Sequence, residues 1–409
     1  MVTGMQIYLI GIGMGEDSTM TIEAKKAIQN ADVIIGAKRM TCNHENEKIV
    51  FNGYKPSEIA GFIDKQKDES IVAVLLSGDV GFYSGAKKLL DELEKHGKTK
   101  EVTVIPGISS VVYFCAKLHT SWDDVKLLSL HGKNQNIIGY VKRHSKVFAL
   151  LSGKEQLKEI CEKLKYYHMD NVKIHIGQKL SYEDEKIFTI SPDTDIFDKN
   201  IDFDNLAVVL LENDAAVDES LGFIEDEEFI RGEVPMTKSE VRSLSISKLC
   251  LKPDSVLYDV GAGTGSVSIE AALKLIDGKV YAIERHEKAV ELINQNKQKF
   301  ATDNIEVICG LAPEAFRELP PPTHVFIGGS AGNMEQIIDE VIAKNPNVKV
   351  VINAIALNTV GEVVNLITKK GWKADITGIT VAKNKVVANY QMMMGQNPVY
   401  VICIEKDLA

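Results

Sequence analysis

The stretch YDVGAGTGSVSIEAA, residues 258–272, decides the fold of the second half of this chain. Its apolar start predicts a β-strand, Gly261, Gly263 and Gly265 predict a tight turn, and the residues after them predict a helix. Glycine permits positive φ and lets a ligand approach the backbone closely. The helix directs free N–H groups and its positive end at the turn. This strand–turn–helix segment therefore predicts a binding site for an anionic or strongly polar ligand.

The glycine spacing excludes two classes of ligand. The dinucleotide fingerprint needs its third glycine one position later, and a P-loop needs Gly-Lys-Ser/Thr. An NAD enzyme is disfavoured for the same reason. A nucleoside with a small charged tail and no pyrophosphate remains, and S-adenosylmethionine (SAM) fits that description. We predict that SAM contacts the turn residues Gly261, Ala262, Gly263, Thr264 and Gly265.

Two later strand ends extend this site. Glu284 ends the next strand, in YAIER, where a carboxylate accepts hydrogen bonds from ribose hydroxyls. Gly310, Leu311 and Ala312 follow the strand after that, where backbone groups can contact the adenine edge. Taken singly, a glycine-rich turn is most often only a turn and Glu284 a surface charge. Their order at successive strand ends predicts a SAM site.

The segment PMTKSEVRSL, residues 235–244, precedes this unit. Thr237 and Glu240 match a capping box, so these residues are explained as a helix start alone. The functional alternative is that Thr237 contacts SAM, while Lys238 and Arg242 bind substrate carboxylates. Both alternatives stay open at this point.

The run HVFIGGSAGNM, residues 324–334, ends a strand in Gly328, Gly329 and Ser330. Ligands of open α/β sheets bind beyond the carboxyl ends of the strands, so this loop is expected to face the reacting methyl group and the substrate. Methyltransferases of other classes often carry Asp/Asn-Pro-Pro-Tyr here, to hold an amine. Gly-Gly-Ser disfavours amine methylation and suits a carbon nucleophile on a bulky substrate.

Composition narrows the function classes. The chain has 409 residues, 45% of them hydrophobic, and a net charge of -10. This length suits two or three domains, and the absence of a basic cluster disfavours nucleic acid as a partner. Six cysteines without C-x-x-C pairs predict reduced, buried thiols in a cytoplasmic protein, and no metal site is predicted. No signal peptide or membrane-spanning run is expected.

The chain alternates apolar runs with helical patterns twice. Residues 7–211 predict a parallel sheet covered on both faces. The acidic segment 213–232 predicts a linker, or a short surface helix, between domains at 1–212 and 233–409. Two final apolar runs, 374–384 and 397–406, predict an antiparallel pair at the sheet edge. The fold class is therefore α/β throughout.

Four glycine- or serine-rich loops follow strands in the first half. They contain Gly11 and Gly13; Ser77, Gly78, Asp79 and Val80; Ser109 and Ser110; and His131 and Lys133. Each alone is explained as a tight turn, but several on one sheet edge predict a binding cleft.

In this order the four loops resemble the tetrapyrrole methylase family, whose forms are G-x-G-x-G, S-G-D-P-x, P-G-x-S-S and Ser-x-His-Gly. Val80 stands where proline is common, which matters little because that proline mainly stiffens the loop. The resemblance implies a two-lobed α/β fold that binds SAM between its lobes. It assigns the first three loops to SAM and places His131 and Lys133 near the substrate.

The second half, from GEVPMTKSEVR through DVGAGTGSVSIEA, resembles the corrin-pathway carbon-15 methyltransferases that also decarboxylate. The first half resembles the carbon-5 methyltransferases of that pathway. Together they imply a bifunctional enzyme of cobalamin biosynthesis with one SAM per domain and a Rossmann-like second domain. It would methylate carbons 5 and 15 of a precorrin and remove the ring C acetate carboxylate. No catalytic residue is assigned, because an electron-rich carbon can attack the methyl directly.

Two other functions stay open at this level. One is a single-function SAM methyltransferase on another substrate, and the other is a non-catalytic tetrapyrrole or SAM sensor. The sequence does not decide whether the substrate holds cobalt, in which order the methylations occur, or whether the chain forms a homo-oligomer.

Overall fold

The computed structural model describes residues 4–130, 135–194, 203, 206–217 and 223–405. The chain divides into two compact units. The first comprises Met1–Asn134, Ser145–Glu162 and Asp170–Asp214, and the second comprises Gln135–His144, Lys163–Met169 and Ala215–Ala409. Within the described ranges, no helix combines the length and the apolar character that crossing a membrane requires.

The first unit contains a five-stranded sheet in the order β3-β2-β4-β1-β5, with every neighbouring pair parallel. Its strands are β1 (Gln6–Gly11), β2 (Val33–Gly36), β3 (Ile49–Asn52), β4 (Ile71–Leu76) and β5 (Val102–Ile105). The helices of this part are α1 (Ile22–Asn30), α2 (Lys38–Thr41), α3 (Pro56–Ile63), α4 (Ala86–Lys95) and α5 (Ser110–Lys117). The predicted parallel sheet is confirmed for this part of the chain.

Burial on both faces explains the nearly continuous apolar strands of this sheet. Successive side chains of a strand point to opposite faces. Ile7 and Leu9 of β1 belong to one apolar cluster, and Ile10 belongs to a second cluster. All three side chains are fully buried. Both faces of β1 are therefore covered, as in other parallel sheets.

A second five-stranded sheet in the order β6-β7-β10-β8-β9 corrects the prediction of a parallel sheet over 7–211. Only β6 and β7 pair in parallel, whereas β10 is antiparallel to β7 and β8, and β8 is antiparallel to β9. The strands are β6 (Lys126–Ser129), β7 (Lys146–Leu151), β8 (Lys173–Gln178), β9 (Lys186–Ile190) and β10 (Ala207–Glu212). Two helices lie between them in sequence: α6 (Ile137–Arg143), which belongs to the second unit, and α7 (Lys154–Tyr166). An apolar run such as LAVVLLE reports burial but carries no information on strand direction.

The second unit contains a seven-stranded sheet in the order β13-β12-β11-β14-β15-β19-β16. Its strands are β11 (Val256–Val260), β12 (Lys279–Glu284), β13 (Ile305–Cys309), β14 (His324–Ile327), β15 (Lys349–Ala354), β16 (Lys373–Ile379) and β19 (Val399–Glu405). Its helices are α8 (Ser239–Leu249), α9 (Ser266–Lys274), α10 (Glu287–Lys299), α11 (Met334–Lys344) and α12 (Leu357–Lys370). β19 is antiparallel to both β15 and β16, which confirms the predicted antiparallel pair. β19 is the second strand from the edge of the sheet, and β16 is the edge strand.

A hairpin replaces the long turn expected before β19. β17 (Ala382–Val387) and β18 (Tyr390–Gly395) pair antiparallel as a separate two-stranded sheet. Apolar side chains on it are exposed, among them Val386 at 64%, Tyr390 at 73% and Met393 at 66%.

The core of the second unit lies on both faces of its sheet. Tyr258 and Val260 of β11 belong to one apolar cluster, and Leu257 belongs to the other. This alternation sets the face of the sheet on which each β11 side chain lies. The glycine turn follows the carboxyl end of β11 and therefore lies at one edge of the sheet.

The predicted linker is partly core. Residues 223–232 are described, and Asp226 and Phe229 are buried in the second unit. This stretch is therefore not a free connection, although the domain bounds themselves stay a prediction.

All six cysteines lie in the described part of the chain, and they are thiols, not halves of disulfides. Cys115, Cys161 and Cys403 are buried, as expected, but Cys42, Cys250 and Cys309 are exposed. The prediction of buried thiols is therefore wrong for half of them.

Candidate functional site

The turn between β11 and α9 requires its glycines. Gly261, Gly263 and Gly265 have φ of +72°, +59° and +79°, in the left-handed region that L side chains rarely adopt. A Cβ on Gly261 would lie 2.7 Å from the Gly329 oxygen, and one on Gly263 would lie 2.8 Å from the Pro235 oxygen. Neighbouring backbone segments therefore pack directly on the turn, in front of the α9 N-terminus.

Glu284, at the end of β12, is anchored to this turn. Its side chain is largely buried, and Oε2 accepts a hydrogen bond from the Gly263 N–H at 3.0 Å. Oε1 accepts one from the His286 N–H at 2.9 Å. Each carboxylate oxygen has a second lone pair, so the fixed carboxylate can still accept hydrogen bonds from a ligand diol.

A cavity of about 990 Å³ opens beside the turn in the second unit, at the upper end of the usual range for small-molecule sites. The predicted residues that line it are Thr237, Lys238, Gly261, Ala262, Gly263, Glu284, Gly310, Leu311, Ala312, Gly328, Gly329 and Ser330. The structure therefore brings together residues from four strand ends that the sequence placed at one sheet edge, and two residues of the segment before α8.

Two predicted turn residues are not among the lining residues. Thr264 is 1% exposed, and its carbonyl accepts a hydrogen bond from Asn296 Nδ2 at 3.0 Å. Gly265 is the N-cap of α9, and a Cβ there would lie 3.1 Å from the Ile293 side chain. These two residues shape the turn and its packing on α10 and do not form the cavity wall.

The predicted capping box at Thr237 and Glu240 is wrong. The N-cap of α8 is Lys238, whose own side chain makes no capping hydrogen bond. Glu240 instead pairs with Lys383 at 2.6 Å. Lys238 is partly exposed, lies 3.6 Å from Asp226 through its ammonium group and lines the cavity.

The structure contradicts the prediction that Arg242 binds substrate. Its side chain is fully buried, its Nε lies 2.8 Å from Glu270 and its Nη1 lies 3.3 Å from Asp226. The guanidinium also packs 4.7 Å from the Phe229 ring centroid. With its charge already balanced inside the protein, Arg242 is a structural cation.

Several lining residues were missed by the sequence analysis. They are polar or charged and come from the loop after β12, from the end of β15, from α12 and from the hairpin exit: Arg285, His286, Asn353, Thr359, Glu362, Gln396 and Asn397. Asn353 had a usable signal, because it lies near the carboxyl end of β15 at the same sheet edge. The residues of α12 had none, because their positions depend on how that helix packs.

Asp259 is a buried acid directly behind the turn. It is 0% exposed, and Ser268 Oγ donates a 2.5 Å hydrogen bond to its Oδ2. Burial raises the pKa of Asp259 to about 7, while the hydrogen bond from Ser268 opposes that rise.

In the first unit, three of the predicted loops meet at glycines. Gly13 and Gly78 form a backbone bridge, with N–H to oxygen distances of 3.1 Å and 2.7 Å. A Cβ on Gly11 would lie 2.7 Å from the Gly107 nitrogen, and one on Gly107 would lie 2.5 Å from the Gly11 oxygen. Gly107 was not predicted as a site residue, although its motif was identified.

The Asp79 carboxylate ties two of these loops together. Its Oδ1 accepts a hydrogen bond from the Gly81 N–H at 2.8 Å, and its Oδ2 accepts one from the Gly107 N–H at 3.1 Å. Ser109 is the N-cap of α5, which begins at Ser110. The Ser109 side chain therefore has a structural use, alongside its predicted contact with SAM.

The remaining predicted site residues of the first unit are Ser77, Val80, His131 and Lys133. Ser77 is exposed, and the Val80 carbonyl accepts a hydrogen bond from Ser84. His131 and Lys133 lie outside the described residues. Within the described ranges, no group of three His, Cys, Asp or Glu side chains could hold a metal ion.

Comparison with known proteins gives a consistent result for both halves. A family model described as tetrapyrrole (corrin/porphyrin) methylases matches residues 6–192, and one described as a precorrin methyltransferase domain matches residues 228–406. A probable cobalt-precorrin-6B C(15)-methyltransferase (decarboxylating) of Pyrobaculum calidifontis is 40% identical over 182 residues, which are 44% of this chain and 93% of that protein.

Two further relatives match a similar share of the chain. A cobalt-precorrin-6B C(15)-methyltransferase (decarboxylating) of Salmonella typhi is 38% identical over 45% of this chain and 96% of its own length. A solved structure of a precorrin-6Y C5,15-methyltransferase from Geobacter metallireducens is 37% identical, covering 46% of this chain and 98% of that chain, with a TM-score of 0.43.

Proposed function

We propose that this chain, which belongs to the precorrin methyltransferase family, methylates carbons 5 and 15 of a corrin precursor and decarboxylates its ring C acetate group. The carbon-15 methylation and the decarboxylation belong to the second unit, and the carbon-5 methylation belongs to the first. SAM donates both methyl groups, with one SAM bound in each unit.

The observation that carries the proposal is the cavity beside the Gly261–Gly265 turn. A SAM molecule seated there would have its charged tail near the α9 N-terminus, its ribose at Glu284 and its adenine at Gly310–Ala312. Glu284 is held by two backbone N–H groups, so its carboxylate is pre-oriented for a diol. The G-x-G-x-G spacing leaves no place for a pyrophosphate.

Methyl transfer to carbon needs alignment more than acid–base catalysis. SAM supplies an electrophilic methyl group on a sulfonium ion. The chain's part is to hold the nucleophilic carbon in line with the methyl and to keep water out. The loop Gly328–Ser330 lines the cavity, and a Cβ on Gly329 would meet no other atom within 4 Å. This open wall leaves room for a flat, bulky macrocycle.

The substrate carries many carboxylates, which cations at the cavity wall can bind. Lys238 and Arg285 both line the cavity, and Lys238 is partly exposed. We assign Lys238 to substrate binding and withdraw Arg242 from that role. His131 and Lys133 remain proposed substrate residues of the first unit.

In the first unit, the loops that meet at Gly11, Gly78 and Gly107 support a second SAM site. Their backbones approach one another without side chains in between, which leaves N–H and C=O groups as the contacting atoms. We also propose a cytoplasmic location, as the reduced cysteines suggest.

Calorimetric titration of the full chain with S-adenosylhomocysteine tests the proposal, with NAD as the control ligand. We expect two binding sites per chain for S-adenosylhomocysteine and none for NAD. One site would restrict the activity to one unit, and titration of site variants in each unit would identify it. Absence of binding, or binding of NAD instead, would contradict the proposal.

A further inference from the structure

The side chain of Arg242 forms the centre of a buried network next to the cavity. The guanidinium lies between the carboxylates of Asp226 and Glu270 and over the ring of Phe229. It also donates hydrogen bonds to two backbone carbonyls, from Nη1 to Thr237 at 2.7 Å and from Nη2 to Ile224. The buried positive charge is therefore balanced by two carboxylates at ion-pair distance, and two backbone carbonyls accept hydrogen bonds from it.

The Thr237 carbonyl matters because it lies in a cavity wall. Residues 234–238 all line the cavity, and the Pro235 oxygen packs against the Gly263 backbone. Arg242 holds the end of this segment through the Thr237 carbonyl. Asp226 holds the next residue, because its Oδ1 accepts a hydrogen bond from the Ser239 N–H at 3.0 Å. The same two side chains therefore fix the segment and pair with each other.

Glu270 connects the network to the glycine turn. It lies on α9, the helix that begins at the turn, and its Oε1 also accepts a hydrogen bond from the Ile224 N–H at 2.7 Å. The guanidinium of Arg242 thus joins residues 234–238 to α9. Buried ion pairs contribute little net stability, because desolvation offsets their attraction, and a gain in conformational specificity is one hypothesis for why they are retained.

We infer that Arg242 is a positioning residue for the SAM site of the second unit: it holds the 234–238 segment against the Gly261–Gly265 turn. The inference rests on the proposed function, and it deepens that function by assigning a role to a residue that does not line the cavity. Lysine at this position keeps the positive charge. Its single ammonium group cannot contact two carbonyls and two carboxylates at once, as the planar guanidinium does.

The test compares Arg242→Lys with Lys248→Ala in the full chain. Lys248 lies on the same helix and pairs with Asp375, far along the helix from Thr237. We expect Arg242→Lys to weaken S-adenosylhomocysteine binding at the second-unit site about tenfold, as for one lost charge-assisted hydrogen bond. The first-unit site and both sites of Lys248→Ala should stay within twofold of the unaltered chain.

Hydrogen exchange without ligand gives a second readout that does not need SAM binding. In Arg242→Lys, the amides of residues 236–239 should exchange faster, while those of β11 and β12 stay unchanged. Equal exchange at 236–239, or unchanged affinity at the second-unit site, would overturn the inference. Faster exchange throughout the unit would also overturn it, because Arg242 would then serve general stability.

Glu270→Gln covers the case in which Arg242→Lys does not fold. The amide oxygen keeps the hydrogen bond from the Ile224 N–H, while the substitution removes one of the two negative charges beside the guanidinium. We expect the same local exchange pattern with a smaller change in affinity, and its absence would overturn the inference. If the unaltered chain showed no second-unit site, the proposed function would fail, and the exchange at 236–239 would still decide whether Arg242 holds the segment.

Discussion

The two glycine-rich turns of this chain share the letters G-x-G-x-G but use their glycines differently. The turn at Gly261 runs directly into α9, and its three glycines all have positive φ. The turn at Gly11 runs into a bridge with Gly78 and reaches α1 only at Ile22. In the second unit the glycines border a cavity in front of a helix, and in the first unit they let three loop backbones meet. The residues after the last glycine distinguish the two uses.

The largest effect is expected for Gly107→Ala, which tests the meeting of backbones in the first unit. A Cβ there would overlap the oxygens of Gly78 and Gly11, and backbone cannot move aside as a side chain can. We expect a loss of about 3 kcal/mol or more in the unfolding free energy of the first unit, with loss of its S-adenosylhomocysteine site. Calorimetric titration should retain the second-unit site.

Gly85→Ala is the matched control for Gly107→Ala, because a Cβ at Gly85 meets no atom within 4 Å. It should keep both sites and the denaturation midpoint of the first unit. Equal behaviour of the two variants would mean that the close approach at Gly107 has no energetic consequence.

Gly261→Ala is the corresponding test in the second unit. Its φ of +72° costs an alanine roughly 1–2 kcal/mol, and the contact with the Gly329 backbone adds to that cost. We expect the second-unit site to be lost in calorimetry while the first-unit site persists. Gly361→Ala, on the exposed face of α12, should instead stabilise the chain by about 0.5–1 kcal/mol. A chain that bound two ligands after Gly261→Ala would contradict the role assigned to the turn.

Asp259 predicts a pH dependence that belongs to the second turn. Its pKa is about 7 when folded and about 3.9 when unfolded, so the folded chain binds more protons between these values. Its contribution to stability is therefore most favourable below about pH 4 and falls as the pH rises to about 7. Asp259→Asn, which cannot ionise, should gain roughly 1–3 kcal/mol relative to the parent between pH 5 and pH 8.

The two tryptophans allow this measurement to be made on one unit. Trp122 lies in the first unit and Trp372 in the second. In a Trp122→Phe background, fluorescence-detected urea denaturation reports on the second unit through Trp372. If the unfolding free energy of the parent and of Asp259→Asn changed with pH in the same way, the pKa of Asp259 would not be raised in the folded chain.

Glu284→Gln should give the smallest of these effects. The amide can accept only through one oxygen, so the hydrogen bond from either Gly263 or His286 is lost, together with the negative charge. We expect second-unit affinity for S-adenosylhomocysteine to fall about tenfold, or 1.4 kcal/mol, with the first-unit affinity unchanged. Asp303→Asn is a control, since Asp303 pairs with Lys163 and does not line the cavity. Unchanged binding would remove Glu284 from the site.

Most of the second-unit site could be predicted because it depends on local order along the chain. Strands, the turn and Glu284 follow from apolar runs and from the residue at each strand end. The side on which a helix presents a residue does not follow in this way. Arg242 looked like a cavity residue because it is close in sequence to Lys238, but packing of α8 turns it into the core.

Strand direction was a second limit. β10 has the same apolar character as β4, yet β4 is parallel to its neighbours and β10 is antiparallel to both of its own. Both strands are buried on two faces, and burial alone produces the apolar run. Gly107 was missed for a related reason, since a close approach between loops is set by tertiary structure.

The position of β19 between β15 and β16 constrains the order in which the second sheet can assemble. β16 pairs with β19 and is separated from β15 by it. During synthesis, β16 must therefore wait for a partner that is made later, while the hairpin of β17 and β18 can already close on its own short turn. Until residues 399–405 are available, β15 presents an open, apolar edge to other chains. Slow translation of this region would prolong the interval in which nascent chains can aggregate.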